Sequence, residues 1–192
     1  MKKTLTILGL LILVIISAFT FEFIDDSILR SSHPKKYSEF VEKYSEIYNV
    51  PESVIYSVIR TESSFKSDAV SKKGAIGLMQ ITPETFEWLC TKTGEEFNKT
   101  LLYDPDTNIK YGTYFLSMLQ LEFVSWDTVF AAYNAGRTTV NKWLSDERYN
   151  NNGRLMNIPY KETENYVKKV NNAVEVYERL YYKNSENVSE RT

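Results

Sequence analysis

Histidine and cysteine each occur once in this 192-residue sequence, and that scarcity removes whole classes of chemistry. Metal catalysis needs clustered His, Cys or carboxylate ligands, and nucleophilic triads need a histidine inside the folded part. Here His33 falls in a short polar stretch ahead of the periodic region, so no metal site, no cofactor and no Ser-His-Asp or Cys-His arrangement is expected. Cys90 cannot form an intramolecular disulfide. It lies in Phe86-Glu87-Trp88-Leu89-Cys90, which reads as a helix face, so a buried structural thiol is expected.

Glycine is sparse as well, with seven residues. Gly74 and Gly77 are followed by Leu78-Met79-Gln80, not by Gly-Lys-Ser/Thr, which leaves no phosphate cradle. No run alternates apolar and polar residues as a half-buried strand would. There is no excess of basic charge: the chain's 23 basic and 25 acidic side chains, less Lys2, Lys3 and Glu22, leave 21 against 24 beyond residue 24. A mildly acidic chain without a basic stripe is not expected to bind nucleic acid.

What is present begins with an apolar segment. Residues Thr4 to Phe21 carry no charged side chain and follow Lys2 and Lys3. As a helix they would extend about 27 Å, close to the thickness of a bilayer's hydrocarbon. Residues 1–24 are therefore expected to be a membrane-spanning anchor, with the flanking lysines keeping the amino terminus in the cytoplasm and the rest of the chain outside it. A cleaved signal peptide is the rival, but Ile16-Ser17-Ala18-Phe19 is a poor cleavage site. Residues 25–34 read as a linker, 35–183 as one domain and 184–192 as a frayed tail.

Within the domain the periodicity is helical, and the fold class is mostly α. Tyr37, Phe40, Val41, Tyr44, Ile47 and Tyr48 recur at spacings of three and four, and a second helix opens at Pro51 with Val54, Ile55, Val58 and Ile59 inward. Residues 63–82 break the pattern as a long loop, and Thr82-Pro83-Glu84 then starts a helix. Helices are also expected over 108–123, over 126–135 closed by Gly136, over the shorter 140–144, and over 161–182. Fourteen tyrosines suggest amphipathic rings that line a sugar-binding groove as well as fill a core.

With other chemistries excluded, carboxylates remain. Glu62 stands at the expected carboxyl end of an apolar helix, where the abrupt switch to loop follows. A carboxylate there works against the helix dipole, and an apolar wall would raise its pKa further, so that it stays protonated for donation near neutral pH. Cleavage of a glycosidic bond requires such an acid. A solvated surface glutamate is the alternative that position alone leaves open.

Glu62-Ser63-Ser64-Phe65, followed by Ala69-Val70-Ser71-Lys72-Lys73-Gly74-Ala75-Ile76-Gly77-Leu78-Met79-Gln80-Ile81-Thr82-Pro83, resembles the signature of the soluble-lytic-transglycosylase (SLT) family. Asp104-Pro105 with Asn108-Ile109-Lys110-Tyr111-Gly112, then Ala131-Ala132-Tyr133-Asn134-Ala135-Gly136, then Ile158-Pro159-Tyr160 with Glu162, Thr163 and Tyr166, occur in the family's order, and the likeness covers about Lys35 to Tyr182. The resemblance implies a single lysozyme-like α-domain that cleaves peptidoglycan between N-acetylmuramic acid and N-acetylglucosamine, with Glu62 as catalytic acid and base.

It further implies substrate contacts from Ser71, Met79, Gln80, Tyr133 and Asn134, with Glu162 and Tyr166 completing the site from one helix face. Two departures stand out. Glu164 replaces an arginine common in the family, which would alter a salt bridge beneath the site, and Thr61 replaces a common glutamine. Two other readings remain open: a hydrolytic muramidase, for which Asp68 is the nearest second carboxylate in sequence, and a non-catalytic wall-binding module.

Overall fold

The computed structural model describes residues 26–182, which divide into two compact units. The larger, Lys35–Glu178, is built almost wholly of helices. They are α2 (Ser38–Tyr48), α3 (Glu52–Ser63), α4 (Pro83–Thr93), a 3₁₀ turn at Lys99–Tyr103, α5 (Pro105–Glu122), α6 (Trp126–Ala135), α7 (Arg137–Leu144) and α8 (Lys161–Tyr177).

Local chemistry explains where the helices start and stop. Thr82 before Pro83 and Asp104 before Pro105 are side-chain caps: Thr82 Oγ1 accepts from the Thr85 amide at 3.2 Å and Asp104 Oδ2 from the Thr107 amide at 2.9 Å. Each satisfies an amide that the first turn leaves without a partner, and the proline has no amide to satisfy. Gly94 ends α4 in the left-handed region. Non-glycine residues, Asn49 and Ser64, do the same for α2 and α3.

In α3, Ser53 to Ile59 are all buried, so the helix is enclosed, not amphipathic. The sequence pattern picks out its four aliphatic positions as the inner face, but Ser53, Tyr56 and Ser57 are inside too. Ser57 Oγ donates to the Ser53 carbonyl at 2.6 Å, which lets a hydroxyl sit in the core at little cost. α3 packs on α8, α2 on α5, and α6 on α8. Tyr56 of α3 stacks on Tyr177 of α8 with centroids 5.3 Å apart, and Tyr44, Tyr111 and Tyr166 are buried as well. Many of the tyrosines thus serve the core and not a groove. Cys90 is buried, its Sγ 3.7 Å from Tyr111 Oη.

Two differences from the sequence reading are local. α7 begins at Arg137, directly after Gly136, and not at Val140. A small antiparallel hairpin, β1 (Asn150–Asn151) with β2 (Arg154–Leu155), was not expected, because nothing in it alternates in hydropathy. Its signal is the turn: Asn152 and Gly153 both have positive φ (51° and 82°), the two-residue loop whose twist suits a hairpin.

Residues 64–82 form the loop that shapes the site, tied by bridges between Val70 and Ile76 and between Ile76 and Ile81. Three side chains from three helices hold it. Asn108 of α5, 1% exposed, donates to the Ile76 carbonyl (3.0 Å) and the Leu102 carbonyl (2.7 Å) and accepts from the Met79 amide (2.8 Å). Ser63 of α3 donates to the Leu78 carbonyl at 2.8 Å, and Tyr133 of α6 to the Met79 carbonyl at 2.8 Å. Gly77, at φ 82°, has no room for a side chain: a Cβ would collide with the Asn108 side chain and the Leu102 carbonyl.

The smaller unit comprises, among described residues, 26–34 and 179–182. Residues 26–32, expected as linker, are helical (α1). Arg30 donates to the Leu180 carbonyl at 2.9 Å and lies 4.9 Å from the Tyr181 ring centre, and Tyr181 donates to the His33 carbonyl at 2.9 Å. The expected anchor (Thr4 to Phe21) and tail (184–192) lie outside the described residues. Among the described residues no helix is long and apolar enough to cross a membrane.

Replacing Asn108 by alanine removes three buried hydrogen bonds at once, stranding the Leu102 carbonyl and the Met79 amide and leaving the Ile76 carbonyl only its bond from the Ile81 amide. The expected loss is about 2–4 kcal/mol, read as the shift in the urea midpoint. A loss below about 1 kcal/mol would show that the loop is held by other contacts.

Candidate active site

Glu62 is the penultimate residue of α3 and is half-buried. Burial pushes its pKa from 4.5 up to about 7, with the Tyr166 hydroxyl pulling the other way. The dominant cause is loss of water around the charged form, as expected for a carboxyl at a helix end facing apolar surroundings. Tyr166 Oη is itself buried and reaches Glu62 without meeting hydrogen-bond geometry, so it has no other partner.

Tyr133 is the third group. Burial first, and the charge of Glu62 second, hold the phenols of both Tyr133 and Tyr166 well above their ordinary pKa. The charges of Tyr133 and Glu62 both act on Tyr166, so the three groups form one cluster. Its chemistry is a carboxyl that is protonated about half the time near neutrality, beside two phenols that remain neutral. Such a group can give a proton and take one back at one pH.

The other expected site residues do not all join it. Ser71 hydrogen-bonds within its own loop, its Oγ accepting from the Ala75 amide at 3.0 Å. Gln80, at φ 51°, donates from Nε2 to the carbonyls of Ala69 (3.1 Å) and Gly77 (2.9 Å), so its amide braces the loop beside the cluster. Asn134 is half-buried next to Tyr133, and its Oδ1 accepts from the Thr163 hydroxyl at 2.8 Å.

One expectation needs correcting. Met79, expected to line the cleft by apolar contact, is fully buried, packed against Gly112, where a Cβ would collide with it. Its part in the site is its backbone, which bonds Asn108 and Tyr133. Glu162 and Tyr166, expected together on one face of the last helix, sit at different depths: Tyr166 is buried, while the Glu162 side chain is 77% exposed with Lys73 at 4.0 Å.

Glu164 does not make or break a salt bridge beneath the site. It lies on the outer side of α8 between Lys161 and Lys168, whose hydrogen bonds hold its carboxyl down at about 2. The Thr61 hydroxyl is buried and unbonded. Asp68, the candidate second carboxylate, is exposed. Sequence reasoning missed Ser63 and Asn108 as builders of the site. Both sit within the strings that carry the family resemblance, but their role lies in long-range bonds that no local pattern encodes. Among the described residues no group of three or more His, Cys, Asp or Glu side chains is placed to hold a metal ion.

Comparison with known proteins identifies the family. The family model described as the transglycosylase SLT domain matches residues 39–173. The membrane-bound lytic murein transglycosylase C of Serratia proteamaculans is 32% identical over 191 aligned residues, covering 86% of this chain and 52% of that protein. The soluble lytic murein transglycosylase of Escherichia coli is 34% identical, covering 74% of this chain and 23% of that one.

Among solved structures, the 70 kDa soluble lytic transglycosylase of Escherichia coli superposes with a TM-score of 0.73 at 29% identity, over 80% of this chain and 26% of that one. Its complex with bulgecin A gives 0.72 at 28% identity, over 81% and 26%. This chain thus spans about half the length of the membrane-bound relatives and about a quarter of the soluble ones.

The raised pKa of Glu62 carries a stability cost with a defined pH window. Below 4.5 the group is protonated folded or unfolded and costs nothing. Between 4.5 and about 7 the unfolded chain gives up the proton while the folded one holds it, so stability falls as pH rises. Glu62→Gln should therefore leave stability unchanged near pH 4 and raise it by about 2–3 kcal/mol above pH 7. Urea midpoints across that range check this, and an offset that does not vary with pH would sink it.

Proposed function

This chain belongs to the transglycosylase SLT-domain family, and from that membership we propose that it is a peptidoglycan lytic transglycosylase. It would cleave the β-1,4 bond between N-acetylmuramic acid and N-acetylglucosamine and leave 1,6-anhydromuramic acid ends. The observation that carries the reading is the Glu62 cluster: one carboxyl held near neutral pKa by burial, flanked by two neutral phenols.

The chemistry follows from those three groups. Protonated Glu62 gives its proton to the bridging oxygen as the bond to the muramic acid anomeric carbon breaks, so N-acetylglucosamine leaves with a free hydroxyl. Glu62, now a carboxylate, takes the proton from the muramic acid C6 hydroxyl as that oxygen bonds to the anomeric carbon. The acid is restored and no water is consumed. Because the nucleophile belongs to the substrate, one carboxyl does the work that ordinary glycosidases divide between two. The Tyr166 hydroxyl steadies the carboxylate half of the cycle, since its interaction favours that form. Ser71 and Gln80 of the loop, Asn134 of α6 and Glu162 of α8 would be the further contacts to the glycan.

Residues Thr4 to Phe21 would anchor the protein in the membrane with its catalytic domain outside the cytoplasm. The name of the membrane-bound Serratia relative points the same way. Even fully extended, the ten residues 25–34 would span at most about 30–35 Å, so cleavage is expected near the membrane. Deleting residues 1–24 should move the protein from the membrane fraction to the soluble one, and an unchanged distribution would refute the anchor.

The deciding experiment is digestion of purified peptidoglycan by the whole chain beside Glu62→Gln, with products read by mass spectrometry. Anhydro ends are expected from the first, and a rate lower by about 10²- to 10⁴-fold from the second. Products one water heavier would indicate hydrolysis, and none from either protein would indicate a binding module. Tyr166→Phe removes an interaction that lowers the Glu62 pKa, so the alkaline limb of its pH-rate profile should move to higher pH. A limb that stays put or moves down would show that Tyr166 does not act on Glu62.

A further inference from the structure

Asn134 is the penultimate residue of α6, beside Tyr133, whose hydroxyl lies in the field of Glu62. Thr163 belongs to the first turn of α8 and is 2% exposed. Its hydroxyl crosses from one helix to the other and donates to Asn134 Oδ1 at 2.8 Å.

A carboxamide has one acceptor end and one donor end. With the acceptor end taken by a buried hydroxyl, turning the amide over would oblige the Thr163 proton to find another acceptor where water does not reach. The side chain is therefore held one way round.

We propose that Thr163 is a positioning residue, whose hydroxyl locks Asn134 so that its Nδ2 donors, and not its carbonyl, are presented to an acceptor oxygen of glycan bound beside Glu62. An amino-sugar strand supplies such acceptors in its N-acetyl carbonyls and hydroxyls. The proposal rests on the transglycosylase reading for the identity of that glycan. It extends the reading by naming the atom that meets the substrate and the residue that sets its direction.

The test separates binding from chemistry by using the full-length E62Q protein and measuring co-sedimentation with purified peptidoglycan. Asn134→Ala and Thr163→Val, each added to E62Q, should weaken binding by about tenfold, and the double variant should be no weaker than either alone. Thr163→Ser, which keeps the hydroxyl, should restore binding to within about twofold. Asn134→Asp should keep the bond to Thr163, and with it the thermal midpoint, yet bind no better than Asn134→Ala, because it offers no donor.

The proposal is overturned if Thr163→Val binds as E62Q does, if its effect adds to that of Asn134→Ala, if Thr163→Ser fails to rescue, or if E62Q does not bind peptidoglycan. Failure of the transglycosylase reading would show separately, as an absence of anhydro ends from the wild-type chain.

Discussion

A carboxyl at the carboxyl end of a helix is opposed by the helix dipole when it ionises, and one with little water around it is opposed again by lost solvation. Glu62 meets both conditions. The loop of residues 64–82 leaves α3 one residue after Glu62, and its Met79 carbonyl is bonded by Tyr133, whose hydroxyl lies in the field of Glu62.

The holding is polar, which is what fixes it in a single position. Apolar packing tolerates sliding, whereas the bonds of Asn108, Ser63 and Tyr133 to specific carbonyls and one amide do not. The three clamps come from α5, α3 and α6, so helix packing sets the loop's place. Tyr133 belongs to both systems, since the hydroxyl that bonds the Met79 carbonyl is also within the field of Glu62. Gly77 and Gly112 are the permissive half of the design: the first lets Asn108 approach the loop, the second makes room for the Met79 side chain.

The sequence was legible where the physics is local. Thr82-Pro83 and Gly136 mark helix ends because caps act within a turn, and the direction of the Glu62 shift follows from its place on a helix; the cap at Asp104-Pro105 was passed over, so α5 starts three residues before the expected 108. The hairpin at Asn150–Leu155 was hidden because only its two turn residues carry a signal. Met79 was misjudged for a different reason. Whether a side chain in a motif faces substrate, core or solvent depends on what packs over it, and Met79 packs on Gly112, thirty-three positions away. The clamps on the loop were illegible on the same ground: Ser63 and Asn108 look like ordinary polar residues until their distant partners are known, and Tyr133, picked out as a substrate contact, gives no local sign of its bond to the Met79 carbonyl.

Glu164 supplies a control within the same molecule. It is the same residue type as Glu62, yet its carboxyl sits near 2, with two lysine ammonium groups hydrogen-bonded to it in open solvent, while Glu62 sits near 7. The difference lies in the company each keeps. A phenol is polar without bringing charge: the Tyr133 hydroxyl donates to the Met79 carbonyl, while the Tyr166 interaction favours the carboxylate of Glu62 without abolishing its protonated form. A lysine in the place of Tyr166 would abolish it, since a cation at that range favours the carboxylate by far more than a neutral donor does. No cation acts on Glu62, and Lys73 at the rim is turned toward Glu162. An acid that must release and recover one proton in each turnover needs neighbours that are polar but neutral, and Tyr133 and Tyr166 meet that requirement.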